Sequence, residues 1–328
     1  MRKGCWAFLL LVCVVARAAS FDCAKALTAQ EKAICTVPEL SAVDERLSAS
    51  YKALLEGLLP ETINALRSDE SQWLHYVATV CEAGEKQPAR TLADCMLGLF
   101  NERNELLSKS RDRRGEILFV IRTRMLREPH SKDWADKDAD AYNLQSFVWP
   151  YANSDAPEWK TWNAAVQRTV MGEIGLPASD ADGEVTAEVE YLGQGLVTVS
   201  IREKHIYEGF PRLYEHSEKF HWLLKENREM KVEDMFKPGI EWAKAVYDCC
   251  AAQTINGHTY NDDDRNGAFT RTLFEEFIKT PRNWGIGPKG LTFEFTDGSL
   301  GAASDPEPLT VPWKTLQPFL QENFAIPK

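Results

Sequence analysis

Phe21–Cys35 reads FDCAKALTAQEKAIC and sets two cysteines twelve positions apart around the start of a helix. Thr28 followed by Glu31 is a reciprocal capping pattern, in which hydroxyl and carboxylate each satisfy a backbone donor left over by the first helical turn. The spacing predicts a helix opening at Thr28, with Cys35 about two turns in and able to be tied back to Cys23. A helix stapled this locally points to a small disulfide-bonded helical fold for the first part of the chain.

Upstream, Arg2 and Lys3 precede the ten-residue apolar run Trp6–Val15 (WAFLLLVCVV), and Ala16-Arg17-Ala18 or Ala18-Ala19-Ser20 offers small residues for cleavage. That run is too short to span a bilayer, so residues 1–20 are expected to be a removable signal peptide and the product to be periplasmic or secreted. No later stretch reaches the ~18 apolar residues of a span, so no transmembrane anchor is expected after cleavage. Without the leader the chain holds thirty-five basic and forty-nine acidic side chains, a net charge of −14. That balance disfavours nucleic acid and anionic membranes and favours encounter with cationic partners.

Six cysteines remain after the leader. In an oxidising compartment Cys23, Cys35, Cys81 and Cys95 read as two disulfides. Pairing Cys23 with Cys35 and Cys81 with Cys95 is favoured because each closes a short local loop, the second around the polar turn Glu82–Arg90; the cross-pairing stays open. Spacings of twelve and fourteen without neighbouring histidines match no zinc pattern. Cys249 and Cys250 sit side by side on a predicted helix and read as a buried structural thiol beside an exposed one able to join chains or to remain free.

Leu40, Val43, Leu47, Tyr51, Leu54 and Leu58 recur at three and four residues, predicting a helix from about Pro38 to Leu59 that Pro60 ends. A third helix carries Ile63, Leu66, Trp73, Leu74, Val77 and Cys81, and a fourth Leu92, Cys95, Met96, Leu99, Phe100, Leu106 and Leu107. Short turns between helices of this length predict a compact antiparallel bundle.

Asp22, Cys23, Lys25, Glu31, Lys32, Cys35, Pro38, Leu40, Asp44, Leu47, Tyr51, Trp73, Leu74, Cys81, Cys95 and Arg103 together make residues 21–109 resemble the LprI-like family, named after a mycobacterial lysozyme inhibitor. The resemblance implies a small secreted helical domain that binds lysozyme. Family members tend to place Gln three residues before the tryptophan and Arg four after it; this chain has Glu70 and Val77 there, so the polar patch around Trp73 differs.

Beyond the charged joint Lys109–Arg114 (KSRDRR) strands dominate, from Ile117–Met125 onward. Val185–Tyr191 and Leu196–Lys204 alternate apolar and polar residues around Leu192-Gly193-Gln194-Gly195, a β-hairpin pattern, and about Tyr214–Lys225 supplies a third strand. Asp133–Asp140 reads as a polar loop. Helices are expected over Trp159–Met171, Gly239–Thr254 and Phe269–Thr280, with strands at Leu291–Thr296 and Leu309–Val311 before a closing helix from Trp313. The expected fold class is thus a small disulfide-linked helical bundle, residues 21–109, followed by an α+β domain, residues 110–328, with an antiparallel sheet packed against helices. Trp162-Asn163-Ala164-Ala165, the hairpin, Val232–Gly239 (VEDMFKPG), Lys289–Phe293 (KGLTF) and Thr310–Trp313 (TVPW), in that order, resemble the C-terminal domain of RsiV-like proteins, anti-sigma factors whose extracellular part recognises lysozyme. Members often carry a Gly-Gly-x-His-Pro turn between the middle strands, where this chain has Glu208–Arg212 (EGFPR), so a ligand surface shaped by that turn is altered.

Asp262, Asp264 and Asn266 ahead of Gly267 match the first half of a calcium loop, but the twelfth position, which needs a bidentate acid, is Leu273. His216 and His221 are five apart on a predicted strand and so face opposite sides, which excludes a shared metal site there; His205 and His258 have no ligand-like spacing. No HExxH, GxSxG, phosphate loop or Cys-His nucleophile context occurs, so neither enzyme nor cofactor is expected. Trp149-Pro150-Tyr151 and Trp284-Gly285 read as loop aromatics able to anchor a protein or a sugar, while Trp162, Trp242 and Trp313 read as core. The leading expectation is an exported binding protein that occludes lysozyme or another cationic envelope or extracellular protein. An envelope module binding peptidoglycan without inhibition is the alternative, ahead of a hydrolase with an unrecognised site.

Overall fold

In the computed structural model, which describes residues 19–85, 91–129, 142–173, 181–207, 213–239, 241–251, 254–255, 258–259, 271–294 and 308–327, the capping residues do what their spacing predicts. The Thr28 side chain accepts from the Glu31 N–H at 3.1 Å, and the Glu31 carboxylate accepts from the Thr28 N–H at 2.9 Å. Helix α1 (Ala29–Thr36) starts there and is followed by α2 (Pro38–Leu55), α3 (Pro60–Glu85) and α4 (Leu92–Ser108). Residues 1–18, part of the stretch Glu82–Arg90, residues 133–140 and 208–212, and the calcium-loop candidates Asp262, Asp264 and Asn266 lie outside the described residues.

The second helix is shorter than its apolar stripe predicts. It stops at Leu55 because Gly57 takes a left-handed φ of 69°, and Pro60 opens α3 instead of closing α2. A proline without an N–H is well placed in a first helical turn, where that donor has no intrahelical partner.

The chain divides into two compact units, and α3 contributes to both. One takes in the residues up to Glu56 together with Val77–Lys109; the other takes in Gly57–Tyr76 and everything from Ser110 onward. In the first unit Ile34, Leu40, Val43, Leu47, Leu54, Val77, Val80, Met96, Phe100 and Leu107 are buried. Disulfides join Cys23 to Cys35 and Cys81 to Cys95, with Cα atoms 5.8 and 5.6 Å apart. Both bonds are local, as the short loops favour, and the second ties the end of α3 to the start of α4.

The second unit is built on a seven-stranded sheet, β1 (Arg111–Arg114), β2 (Ile117–Pro129), β3 (Tyr142–Ala152), β4 (Ala181–Gly193), β5 (Leu196–Tyr207), β6 (Leu213–Leu223) and β7 (Arg228–Glu229), in sequential order. All neighbours run antiparallel except β3 and β4. That parallel pair follows from the crossover between them, helix α5 (Pro157–Arg168), since parallel neighbours cannot be joined by a hairpin. Trp159, Trp162, Ala165 and Val166 of α5 pack on Phe147, Trp149, Val185, Val199, Ile201 and Phe220 of the sheet. Asp69 of α3 receives a two-pronged ion pair from Arg122 of β2, whose guanidinium lies 5.4 Å from the ring centres of both Trp149 and Tyr151.

A second core gathers Met235, Phe236, Trp242, Val246 and Leu316 around a three-stranded sheet, β10 (Trp284–Gly287), β11 (Gly290–Phe293) and β12 (Leu309–Pro312), after two-residue strands β8 (Thr254–Ile255) and β9 (His258–Thr259). Helices α6 (Glu241–Ala251) and α7 (Arg271–Ile278) belong to this part of the unit, where Trp242 and Ile278 are buried. His221 of β6 joins the core to the large sheet, bonding Thr198 Oγ1 and the Trp284 carbonyl, both at 2.9 Å.

Candidate functional site

Among its described residues the first unit presents one large, strongly exposed apolar side chain on a fixed backbone. Leu27 is 83 % exposed, and its own N–H donates to the Glu31 carboxylate at 2.8 Å. Immediately before it, Asp22 caps the 3-10 turn Cys23–Lys25 by accepting from the Ala24 N–H, and the Cys23–Cys35 bond holds that turn against α1. Single exposed leucines are common on soluble proteins. Here the backbone on both sides is fixed by a cap, a capping box and a disulfide, so the side chain is offered to a partner at little further cost in chain entropy. The two backbone hydrogen bonds lower the pKa of Glu31, which keeps a carboxylate beside the leucine. Residues 23–107 carry thirteen acidic and eight basic side chains, so the surroundings are acidic overall.

The second unit closes over the aromatics expected to be on loops. Trp149 lies in β3 and is 1 % exposed, Trp284 lies in β10 and is fully buried, and Tyr151 is half-buried beneath the Arg122 guanidinium. The correction has a simple cause. Trp149-Pro150-Tyr151 contains a proline, which reads as a loop signal, but Pro150 pairs with Ile121 inside the β2–β3 ladder. The Trp284 indole N–H donates to the Ile278 carbonyl at 2.7 Å, which satisfies its one donor within the core. Leu74, placed by periodicity on the buried stripe of α3, is 50 % exposed.

A feature that sequence spacing missed is a row of ionisable side chains on one face of β5 and β6. The register sets Glu203 opposite His216 and His205 opposite Tyr214, with Glu218 two residues along. Burial raises the pKa of Glu203, against a smaller opposing effect of His216, and burial lowers that of His205. Glu218 is also raised by burial, in spite of Arg282, which holds it at 3.2 Å and Glu229 at 2.9 Å. The signal was present as Glu203 and His205 at alternate positions continuing the apolar series Val197, Val199, Ile201. Among the described residues no group of acids, histidines and cysteines can hold a metal ion.

Thr198 and His221 have the atoms of a nucleophile and its base. Both are covered, at 0 % and 1 % exposure, and burial pushes the His221 pKa down to about 4. The imidazole therefore stays neutral and bridges two sheets. Cys249 packs against the second core from α6; the Cys250 side chain lies outside the described residues.

The model of the lysozyme inhibitor LprI family matches residues 23–107. No curated protein matches the chain. Among solved structures the chain is similar to a DUF3298 family member from Bacteroides fragilis, at 13 % identity with a TM-score of 0.46, covering 64 % of this chain and 95 % of that one. It is also similar to a DUF3298 family protein from Pseudomonas aeruginosa PAO1, at 14 % identity with a TM-score of 0.46, covering 64 % of this chain and 97 % of that one.

Proposed function

We propose that this is an exported binding protein whose disulfide-tied helical unit inhibits lysozyme by occlusion, without catalysis. The observation that carries the reading is the match of residues 23–107 to the lysozyme inhibitor family, over the segment that holds both disulfides. The acidic balance of that segment supports it, because a cationic enzyme is drawn to such a surface and occupying a cleft needs shape and charge but no reactive group. The sequence likeness of the second unit to RsiV-like proteins points to the same partner. Leu27 and its flanking carboxylates are the contact we assign to the helical unit.

The test mixes the purified mature chain with a chicken-type lysozyme and follows lysis of bacterial cell walls at low and moderate salt, with a sizing column to detect the complex. Protection that weakens as salt rises is expected. Undiminished lysis at a large molar excess, with no complex on the column, sinks the inhibitor reading. Leu27→Asp should weaken inhibition about tenfold or more, a loss typical of a central contact residue, while the far-ultraviolet circular dichroism stays unchanged.

A further inference from the structure

We propose that the Cys23–Cys35 disulfide is a redox-sensitive latch on the binding turn: a dithiol reductant opens it in the folded protein, the turn leading into Leu27 comes loose and the partner is released, while Cys81–Cys95 stays closed. The release rests on the inhibitor reading; the selective opening does not.

The two disulfides differ in what covers them. Cys81 and Cys95 are 0 % and 1 % exposed, and their chain neighbours Val80 and Met96 are buried as well. A thiolate has to reach a sulfur in order to exchange with it, so that bond opens only when the end of α3 and the start of α4 come apart. Cys23 is exposed, in a 3-10 turn that buries none of its residues, and Cys35 is half-buried near the end of α1. Attack there needs no unfolding.

Without that bond the turn is weakly held. Among the described residues, the hydrogen bonds of residues 22–26 all fall inside the turn: the Ala24 N–H donates to the Asp22 carboxylate at 3.1 Å, the Lys25 N–H to the Asp22 carbonyl at 2.9 Å and the Ala26 N–H to the Cys23 carbonyl at 3.3 Å. The Lys25–Asp22 ion pair, 3.8 Å long between exposed side chains, adds little. The hydrogen-bond anchors on either side are the Ser20 N–H on the Asp44 carboxylate at 2.7 Å and the Leu27 N–H on Glu31. Helix α1, by contrast, keeps its capping box and its buried Ile34 whether or not the bond is present. Opening the bond therefore returns chain freedom to the turn and leaves the helix standing, and a partner at Leu27 must then order the segment again in order to bind.

The reaction runs in two exchanges. A thiolate of the dithiol attacks Sγ of Cys23, the more exposed residue, forming a mixed disulfide and releasing Cys35 as a thiolate that takes up a proton. The second thiolate of the reductant then attacks the reductant's own sulfur in that mixed disulfide, which closes the reductant into a disulfide and releases Cys23 to be protonated in turn. The two cysteines gain two electrons and two protons, and the dithiol loses them. Exchange with an oxidised disulfide runs the same steps backward, so the latch is reversible.

The probe is dithiothreitol, added to the full mature chain after its free thiols are blocked with N-ethylmaleimide; thiols that then form are trapped with iodoacetamide and located by peptide mass spectrometry. Cys23 and Cys35 should be trapped at least about a hundredfold faster than Cys81 and Cys95, whose bond waits for the fold to open. Amide exchange should speed up at Ala24, Ala26 and Leu27 and stay unchanged at Ile34. Once the reductant has been removed by desalting, protection of cell walls from lysozyme should be weaker by about tenfold, the scale of reordering a few residues, and should return when oxidised glutathione re-forms the bond. The double variant Cys23→Ser, Cys35→Ser should behave as the reduced protein does without any reductant, with its far-ultraviolet circular dichroism intact. Trapping of all four cysteines at one rate, unchanged exchange at Leu27 with the Cys23–Cys35 bond open, or equal inhibition before and after reduction overturns the proposal. The trapping order and the exchange are read on the parent, so they decide the matter even if the double variant misfolds. A parent that never inhibits lysozyme sinks the inhibitor reading and the release with it, while the same two measurements still decide whether the bond is a latch on the turn. Leu27→Asp should lose inhibition and keep the parent's trapping order, which separates the two failures.

Discussion

His221 shows how one side chain can set the pH range of a fold. Its ordinary pKa of 6.5 falls to about 4 because burial disfavours the charged ring more than its carbonyl partners favour it. Between those two values the unfolded chain binds the proton and the folded chain does not. Stability is therefore complete above pH 6.5 and declines as the pH drops toward 4, by about 3 kcal/mol for this group alone. Urea denaturation at pH 7 and pH 4.5 measures the decline, and His221→Gln, which cannot titrate, should flatten it relative to the parent. Glu203 and Glu218, whose pKa values are raised, act in the opposite sense, their contribution present at low pH and lost as the pH rises. At Arg122 the guanidinium serves Asp69 and two aromatic faces together. Asp69→Ala leaves that charge buried without its partner and should cost about 3–5 kcal/mol, read from the urea midpoint.

At the scale of elements, local signals were legible where local chemistry decides the outcome. Thr28 and Glu31 announced α1, the cysteine spacings favoured both disulfides while leaving the cross-pairing open, and alternation in Val185–Tyr191 and Leu196–Lys204 announced the central hairpin. What stayed hidden depends on partners distant in sequence. Apolar periodicity shows that one side of α3 is buried but not what buries it, and a proline beside two aromatics suggests a loop until Ile121 is found opposite it. Glu203 and His205 went unread because alternation says which face they share, not that the face is covered. Two elements give direct tests. Removing both Cys81 and Cys95 by alanine opens a loop of 14 residues and should cost about 3 kcal/mol, seen as a lower thermal midpoint. Gly290→Ala would set a Cβ 2.2 Å from the Val311 carbonyl oxygen, forcing β11 and β12 apart. The expected loss is at least ~2 kcal/mol, with weakened amide protection at Leu291 and Val311.

For the whole molecule, the decisive fact is that α3 serves two units. Leu66, Asp69 and Trp73 are buried in the segment counted with the sheet unit, while Val77, Val80 and Cys81 are buried in the segment counted with the helical one. Trp73→Ala should cost about 3–5 kcal/mol and speed amide exchange in β2 and β3 more than in α2 and α4. The double cysteine variant should show the reverse ranking. Equal loosening everywhere in both variants would mean that the chain unfolds as one block.

A ribosome makes Gly57–Tyr76 well before Ser110 and the strands that follow. During synthesis the early turns of α3 must therefore wait, with the Asp69 carboxylate in water, until β2 arrives with Arg122. A gene cut at Lys109 would give two products that each lack something: one carrying an α3 whose first turns have lost the strands counted with them, the other a sheet without its acidic brace.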